Sequence, residues 1–283
     1  MAVLRSTALI EAPLTTVSGA LRHVRTAESG LAGLGITGRV GGSGGLDLLM
    51  PGDELVFRLR AVGVPVRVAT RVARVDAAEL VSELVAGPLA ELRHEAVLAE
   101  AGPRTLLTDS VRWRLPLGAL GRAADVLLLR GLVLRVLAAR AAAVRRTAES
   151  WASRPVVVAT AVVHNGLLLA QQREFPDEVA GKWELPGGRV EPGERETDAV
   201  VRECKEELDI QVRPGRRIAP DVPLPSGKLL RTYAAELADP EAVPRAVEHR
   251  AVRWVGAAEV AELDWLPADR VLVPALLRQL GAE

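Results

Sequence analysis

Three glutamates close together carry the strongest chemical signal in this sequence. Glu206 and Glu207 follow Glu203 by three and four residues in VRECKEEL, so a helix there puts all three carboxylates on one face. Like charges at that spacing repel unless a cation neutralises them. Hard carboxylate oxygens on a rigid element suit Mg²⁺ or Mn²⁺, ions that also hold phosphates. Taken alone, three acids on a helix describe an ordinary solvated face. Their surroundings reverse that reading: Gly188, five residues, Glu194, seven residues, then Arg202-Glu203-Cys204-Lys205-Glu206-Glu207-Leu208-Asp209-Ile210, all within WELPGGRVEPGERETDAVVRECKEELDI, residues 183 to 210. Six specified residues, each with a background frequency of about 5 to 7%, coincide at fixed spacing less than about once in a million positions.

The elements that must position these acids are legible around them. Pro186-Gly187-Gly188 and Pro192-Gly193 make tight turns, and a helix is predicted from about Thr197 to Leu208. Cys204 stands where it packs as a small hydrophobe, and Asp209 where a helix exit favours the left-handed conformation, at about 1 kcal/mol for a non-glycine residue. Upstream, VVVATAVVHNGLLLAQQ is two apolar runs around Asn165-Gly166, the signature of a hairpin whose type I′ turn needs positive φ at both central residues.

The pattern from Gly188 to Ile210 is the Nudix box, and residues 155 to 280 resemble the MutT-like branch of the Nudix hydrolases, which includes 8-oxo-dGTP diphosphatases and CTP pyrophosphohydrolases. The resemblance implies an α/β/α sandwich and a Mg²⁺ or Mn²⁺ site made by the Gly187 carbonyl and the carboxylates of Glu203, Glu206 and Glu207. It implies that Arg202 orients the acids through its planar fork, that Glu194 braces the loop, and that Gly188 is structural. Glu248 in AVEHRAVRWV matches a further metal-binding or water-activating acid, Arg173 and Lys182 match residues that touch phosphates or base, and Asp269 in LDWLPADR matches a residue that reads the base edge. Tyr233 or Trp265 could stack on a base, with core packing the plainer role for either. The implied reaction is attack of water at the β-phosphorus of a nucleoside triphosphate, releasing nucleoside monophosphate and pyrophosphate, with Glu207 or Glu248 as general base. Two alternatives stay open at this stage. An ADP-ribose or dinucleotide pyrophosphatase is favoured only by Pro225, fifteen residues after Ile210. A nucleotide or lipid sensor without turnover has no need for a full set of acids.

The chain of 283 residues fits two domains, expected at 1–151 and 152–283, with the joint before Pro155. Its 36 Lys plus Arg balance 36 Asp plus Glu, which argues against nucleic-acid polymers and anionic membranes as partners and leaves small nucleotides, which need only a local cationic site. One cysteine excludes an internal disulfide, the N-terminus lacks a signal-peptide pattern, and a cytoplasmic location is the default expectation. Gly118 to Ser150 reads as one long helix, whose greasiest part, Val126 to Leu137, is broken by Arg130 and Arg135 and is expected to be buried.

Ahead of that helix come one strand (Val3 to Ile10), one helix (Leu14 to Arg25) and a meander of period-two runs, with a loop at the glycine cluster 41 to 45. Residues 1 to 150, in IEAP, PGDELVF and PLGALGR, resemble the START-like helix-grip (SRPBCC, polyketide-cyclase-like) superfamily, which implies a curved sheet around the last helix and an apolar ligand as candidate partner. The whole chain is therefore expected to be α+β. A filled core and a ligand cavity are equally open for the first half. His94, Asp109, Arg112 and Trp113 are expected to be solvated strand residues or packed aromatics rather than ligand contacts, and no constellation there supports a cyclase.

Overall fold

The computed structural model describes residues 1–42, 47–61, 63–116 and 129–282. The chain divides into two compact units, Met1–Ala152 and Ser153–Glu283.

The first unit opens with β1 (Ala2–Ile10), α1 (Leu14–Arg22) and α2 (Val24–Ser29). Six strands follow, β2 (Thr37–Gly41), β3 (Glu54–Ala61), β4 (Val64–Val75), β5 (Glu79–Ala86), β6 (Glu91–Ala101) and β7 (Arg104–Arg114), and α3 (Arg130–Trp151) closes the unit. The strands form one antiparallel sheet in the order β1-β7-β6-β5-β4-β3-β2, so only the β1–β7 pair joins distant segments. Burial alternates along β1 and β7, while bulges between β4 and β5 interrupt the alternation there. Ile10, Leu80, Leu98 and Leu107 of the sheet meet Val144 and Ala148 of α3 in one core cluster, each large aliphatic side chain contributing about 1.5–3 kcal/mol by leaving water.

Sheet and helix do not close completely. Among the described residues a cavity of about 530 Å³ lies between them, lined almost wholly by aliphatic side chains. The cavity corrects the reading of Val126 to Leu137 as a buried helix. Residues 126–128 lie outside the described residues, Leu137 is buried, and Leu134 is 48% exposed. Leu129, Leu132, Val133, Val136 and Leu137 recur at helical spacing and face the cavity, which leaves the opposite side of α3 to solvent. Residues 118–128 of the expected long helix and 43–45 of the glycine cluster likewise lie outside the described residues. The helix expected from Leu14 to Arg25 is interrupted at His23, where the backbone turns extended (ψ 123) and bridges to Leu48.

Asp109 is a second correction. It is 1% exposed rather than solvated, because its register opposite Ala96 and Ser6 turns it to the inner face, and it is bonded to His94 and Arg140. Trp113 is packed at 1% exposure, while Arg112 is solvated as expected.

The second unit contains β8 (Val156–His164), β9 (Leu167–Gln172), β10 (Trp183–Glu184), α4 (Glu196–Leu208), β11 (Val212–Arg217), β12 (Val222–Pro223), β13 (Leu229–Leu237), β14 (Ala251–Val255), α5 (Ala257–Glu262), α6 (Pro267–Arg270) and α7 (Val273–Gln279). Its sheet runs β10-β9-β8-β13-β11, with β12 on β13 and β14 on β9; β8 and β13 are parallel and the other pairs antiparallel. Asn165 (φ 49) and Gly166 (φ 74) make the predicted turn between β8 and β9. Ala199, Val200, Cys204 and Leu208 seat α4 on Val158, Val162, Leu169 and Tyr233 of the sheet. That helix ends where Asp209 turns left-handed at φ 55. Among the described residues no helix is long and apolar enough to cross a membrane.

Candidate active site

The turn before α4 is stitched to β8. Thr160 N–H donates to the Pro186 carbonyl and Val158 N–H to that of Gly188, both at 2.8 Å, and Val190 N–H donates to Val156 O at 3.1 Å. The closeness explains the glycine pair: a Cβ on Gly187 would lie 2.0 Å from Val158 O, and one on Gly188 2.2 Å from Glu203 Oε1. Only hydrogen fits at either position.

Arg202 gathers the acids on the near side of α4. Its Nε and Nη2 donate to the two oxygens of Glu194 at 2.9 and 3.2 Å, and its Nη1 donates to Glu203 Oε1 at 2.9 Å and Glu206 Oε2 at 3.0 Å. A further bond from Nη2 to Arg189 O ties this fork to the glycine turn. Glu194 also accepts the Glu191 N–H, so it braces both Arg202 and its own loop, and the Arg202 bond holds its carboxyl below the usual range. Burial pushes the Glu203 carboxyl up, against the pull of Arg202.

Glu207 is held differently. It is 8% exposed, and its Oε2 accepts both the Gly187 N–H and the Gln171 Nε2–H at 2.9 Å. Burial pushes its carboxyl up to about 7 despite these bonds. His249 Nε2 lies 3.9 Å from Glu207 Oε1 and 2.8 Å from Glu184 Oε1, and Glu184 in turn accepts Arg173 Nη1 through both oxygens.

The donor chemistry fits a hard divalent cation. Glu203, Glu206, Glu207 and the Gly187 carbonyl supply only oxygen, and Glu207 is a buried carboxylate bonded to neutral N–H groups rather than to a cationic side chain. Among the described residues, however, no three acidic, His or Cys side chains converge into one ready ligand set, because Arg202 holds Glu203 and Glu206 while Gly187 and Gln171 hold Glu207.

The family model described as "NUDIX domain" matches residues 153–276. Over 129 residues, 44% of this chain, the sequence is 45% identical to the Mycobacterium tuberculosis (strain H37Rv) protein described as "Putative 8-oxo-dGTP diphosphatase 2", covering 90% of it. It is 35% identical over 121 residues to the CTP pyrophosphohydrolase of Escherichia coli K12, covering 43% of this chain and 90% of that protein. A 118-residue match, 41% of this chain, is 35% identical to 40% of the NAD-capped RNA hydrolase NudC of Pseudomonas syringae.

The chain belongs to the Nudix family.

Within this Nudix unit the remaining expected site residues are placed unevenly. The loop carrying Glu248 is pinned beside α4 and β9 by bonds from Arg245 N–H to Leu208 O, Val247 N–H to Glu207 O and Arg250 N–H to Gln172 O. The Glu248 side chain is nonetheless exposed, and among the described residues no hydrogen bond or ion pair joins it to the acids. Lys182 pairs with Asp264 at 3.0 Å, and Arg173 with Glu184. Tyr233 donates its hydroxyl to Glu196 and Trp265 its indole N–H to Val260 O, and both rings are buried, so neither is placed to stack on a base. Glu184, His249 and Gln171 are the Nudix-site residues that sequence reasoning missed. The only signals were position: Glu184 directly precedes the Leu-Pro-Gly-Gly turn, and His249 follows Glu248.

Asp269 is 5% exposed and accepts the Leu185 N–H through Oδ1 at 3.0 Å; burial pushes its carboxyl up from 3.8 to about 7. The folded state therefore keeps a proton that the unfolded chain releases near 3.8, so this contribution to stability is fully present below that pH and is lost as pH rises through about 7. Asp269→Asn keeps an oxygen for Leu185 N–H and removes the charge. Denaturant melts should show the variant gaining on the wild type by about 2–4 kcal/mol between pH 4 and pH 8, since each tenfold change in proton affinity is worth ~1.4 kcal/mol. A difference that stays constant with pH would exclude the buried, protonated carboxyl.

Proposed function

We propose that the Nudix unit hydrolyses nucleoside triphosphates of the 8-oxo-dGTP or CTP/dCTP type to nucleoside monophosphate and pyrophosphate, using Mg²⁺ or Mn²⁺. The observation that carries this reading is Glu207, a buried carboxylate clamped by Gly187 N–H and Gln171 beside the Arg202-braced pair Glu203 and Glu206. Two relatives matched over 90% of their length, with names stating 8-oxo-dGTP and CTP, support the substrate class.

Glu203, Glu206, Glu207 and the Gly187 carbonyl would hold the ion, which supplies charge neutralisation on the phosphates and a lowered pKa for the attacking water. Glu207 is the first candidate to take the proton, through Oε1, since Oε2 is committed to two N–H donors. Glu248, on the pinned loop, is the second candidate for that role and for a further ion. Arg202 fixes the direction of the acids. Arg173 and Lys182 bind phosphate or base by exchanging Glu184 and Asp264 for substrate, and Asp269, in its protonated form, presents an O–H to a base-edge acceptor.

The two domains, 1–151 and 152–283, act in the cytoplasm on small molecules rather than on nucleic-acid polymers. The first is a START-like helix-grip domain whose cavity takes an apolar ligand; the seven-stranded sheet, the long closing helix and the 530 Å³ cavity support that reading.

Pyrophosphate release with Mg²⁺ over 8-oxo-dGTP, CTP, dCTP, 5-methyl-dCTP, dATP, dGTP and ADP-ribose tests the Nudix assignment. A preference of about tenfold or more for one triphosphate is the expected result. Cleavage of ADP-ribose alone would replace it with a dinucleotide-type activity, and silence on the whole panel with retained nucleotide binding would replace turnover by sensing.

A further inference from the structure

The wall of the first unit's cavity carries a polar trio that an apolar core would not retain for packing. Asp109 Oδ1 accepts from His94 Nε2 at 2.7 Å and from Arg140 Nη1 at 2.5 Å. The Asp109 side chain is 2% exposed, His94 16% and Arg140 21%, and His94 and Arg140 both line the cavity among aliphatic neighbours. Two strands and a helix converge to build the trio: His94 stands on β6 opposite Ser82 of β5 and Val111 of β7, Asp109 stands on β7, and Arg140 projects from α3. Burying a charge in such surroundings is costly unless it is paired, and here the pairing is internal to the wall.

What the trio leaves over defines the guest. Arg140 spends one N–H group on Asp109 and retains others, and His94, donating through Nε2, keeps Nδ1 as an acceptor. Burial works against the charge on Asp109, yet Arg140 and the His94 bond outweigh it, while burial and Arg140 hold His94 below its ordinary value and neutral. The guanidinium charge is thus already balanced. A second anion beside it would leave one net negative charge in a low-dielectric cavity, whereas a neutral oxygen would accept from Arg140 without that penalty, and a hydroxyl would also donate to His94 Nδ1.

We propose that this cavity binds a mainly apolar, uncharged molecule carrying one carbonyl or hydroxyl oxygen, and that Arg140 and His94, held by Asp109, form its oxygen-recognition site. This deepens the reading of the cavity as an apolar ligand site and rests on it.

Three naphthalenes of similar size separate the possibilities: 2-acetylnaphthalene (neutral carbonyl), 2-isopropylnaphthalene (no oxygen) and 2-naphthoate (anion), titrated by calorimetry into the full chain. The ketone should bind about tenfold or more tighter than either of the others, the scale of a hydrogen bond from a charged donor. The double variant Asp109→Asn/Arg140→Met, which leaves no charge unpaired, should bind ketone and hydrocarbon alike, with its fold checked by circular dichroism; Val136→Trp, which fills the cavity, should bind neither. Equal affinity of ketone and hydrocarbon in the wild type, with both lost in Val136→Trp, would overturn the oxygen site and leave the apolar cavity standing. Tightest binding of naphthoate would overturn the preference for an uncharged guest. No binding of any of the three at their solubility limit would overturn the cavity reading, and the oxygen site with it.

Discussion

Glu207→Gln should lower turnover with Mg²⁺ at least about 100-fold while leaving the fold in place. Glutamine is the same size, and its carbonyl oxygen can occupy the Oε2 position, where Gly187 N–H and Gln171 Nε2–H both need an acceptor. Its amide then replaces Oε1, the atom that faces His249 at 3.9 Å and is left to meet the ion or the proton. What is lost is therefore the charge and the basic lone pair rather than the local packing, and loss of a general base typically costs about 100-fold to 10,000-fold. The variant should melt no lower than the wild type, because burial already opposes the ionised carboxyl. Steady-state kinetics at saturating Mg²⁺ decide the point: more than about a tenth of the wild-type kcat would remove Glu207 from the mechanism. Glu248→Gln, made in parallel, should lose less, since its side chain is exposed and unbonded to the acids. The opposite order would hand the general-base role to Glu248.

A single methyl group at Gly188 should have a comparable effect for a steric reason. The added Cβ would lie 2.2, 2.4 and 2.5 Å from Oε1, Cδ and Oε2 of Glu203, separations that no carbon tolerates. Because β8 fixes the glycine backbone through Val158 N–H, the Glu203 carboxylate must swing away, breaking its 2.9 Å bond to Arg202. Gly188→Ala should then lose about 100-fold or more in kcat/KM, equivalent to about 2.7 kcal/mol of transition-state stabilisation, and should bind Mg²⁺ more weakly. Gly193→Ala is the matched control. Nothing lies within 4 Å of its would-be Cβ, so its φ of +84 should cost about 1 kcal/mol of stability with little change in rate. Equal activity in the two alanine variants would mean that the Glu203 carboxylate does not need its place against Gly188.

The parts of this molecule that depend on neighbours along the chain were legible in the residues themselves. Helix spacing alone aligned Glu203, Glu206 and Glu207, and Asn165-Gly166 announced the β8–β9 hairpin. The domain motif was readable for the same reason, since 23 residues from Gly188 to Ile210 contain both the turn and the helix that carry it.

Contacts between distant segments, by contrast, were set by pairing. Period two puts Asp109 on the same face of β7 as Leu107, Val111 and Trp113, but only the register of β7 against β6 and the packing of α3 bring His94 and Arg140 to it. The same holds for Glu184, His249 and Gln171, which lie on β10, on the loop before β14 and on β9 and meet Glu207 only because β9 pairs with both β10 and β14. The cavity is the extreme case: the sequence determined that α3 has an apolar stripe, and the tertiary structure decided that part of this stripe faces open space rather than side chains, because void volume belongs to the separation of sheet and helix and to no residue by itself.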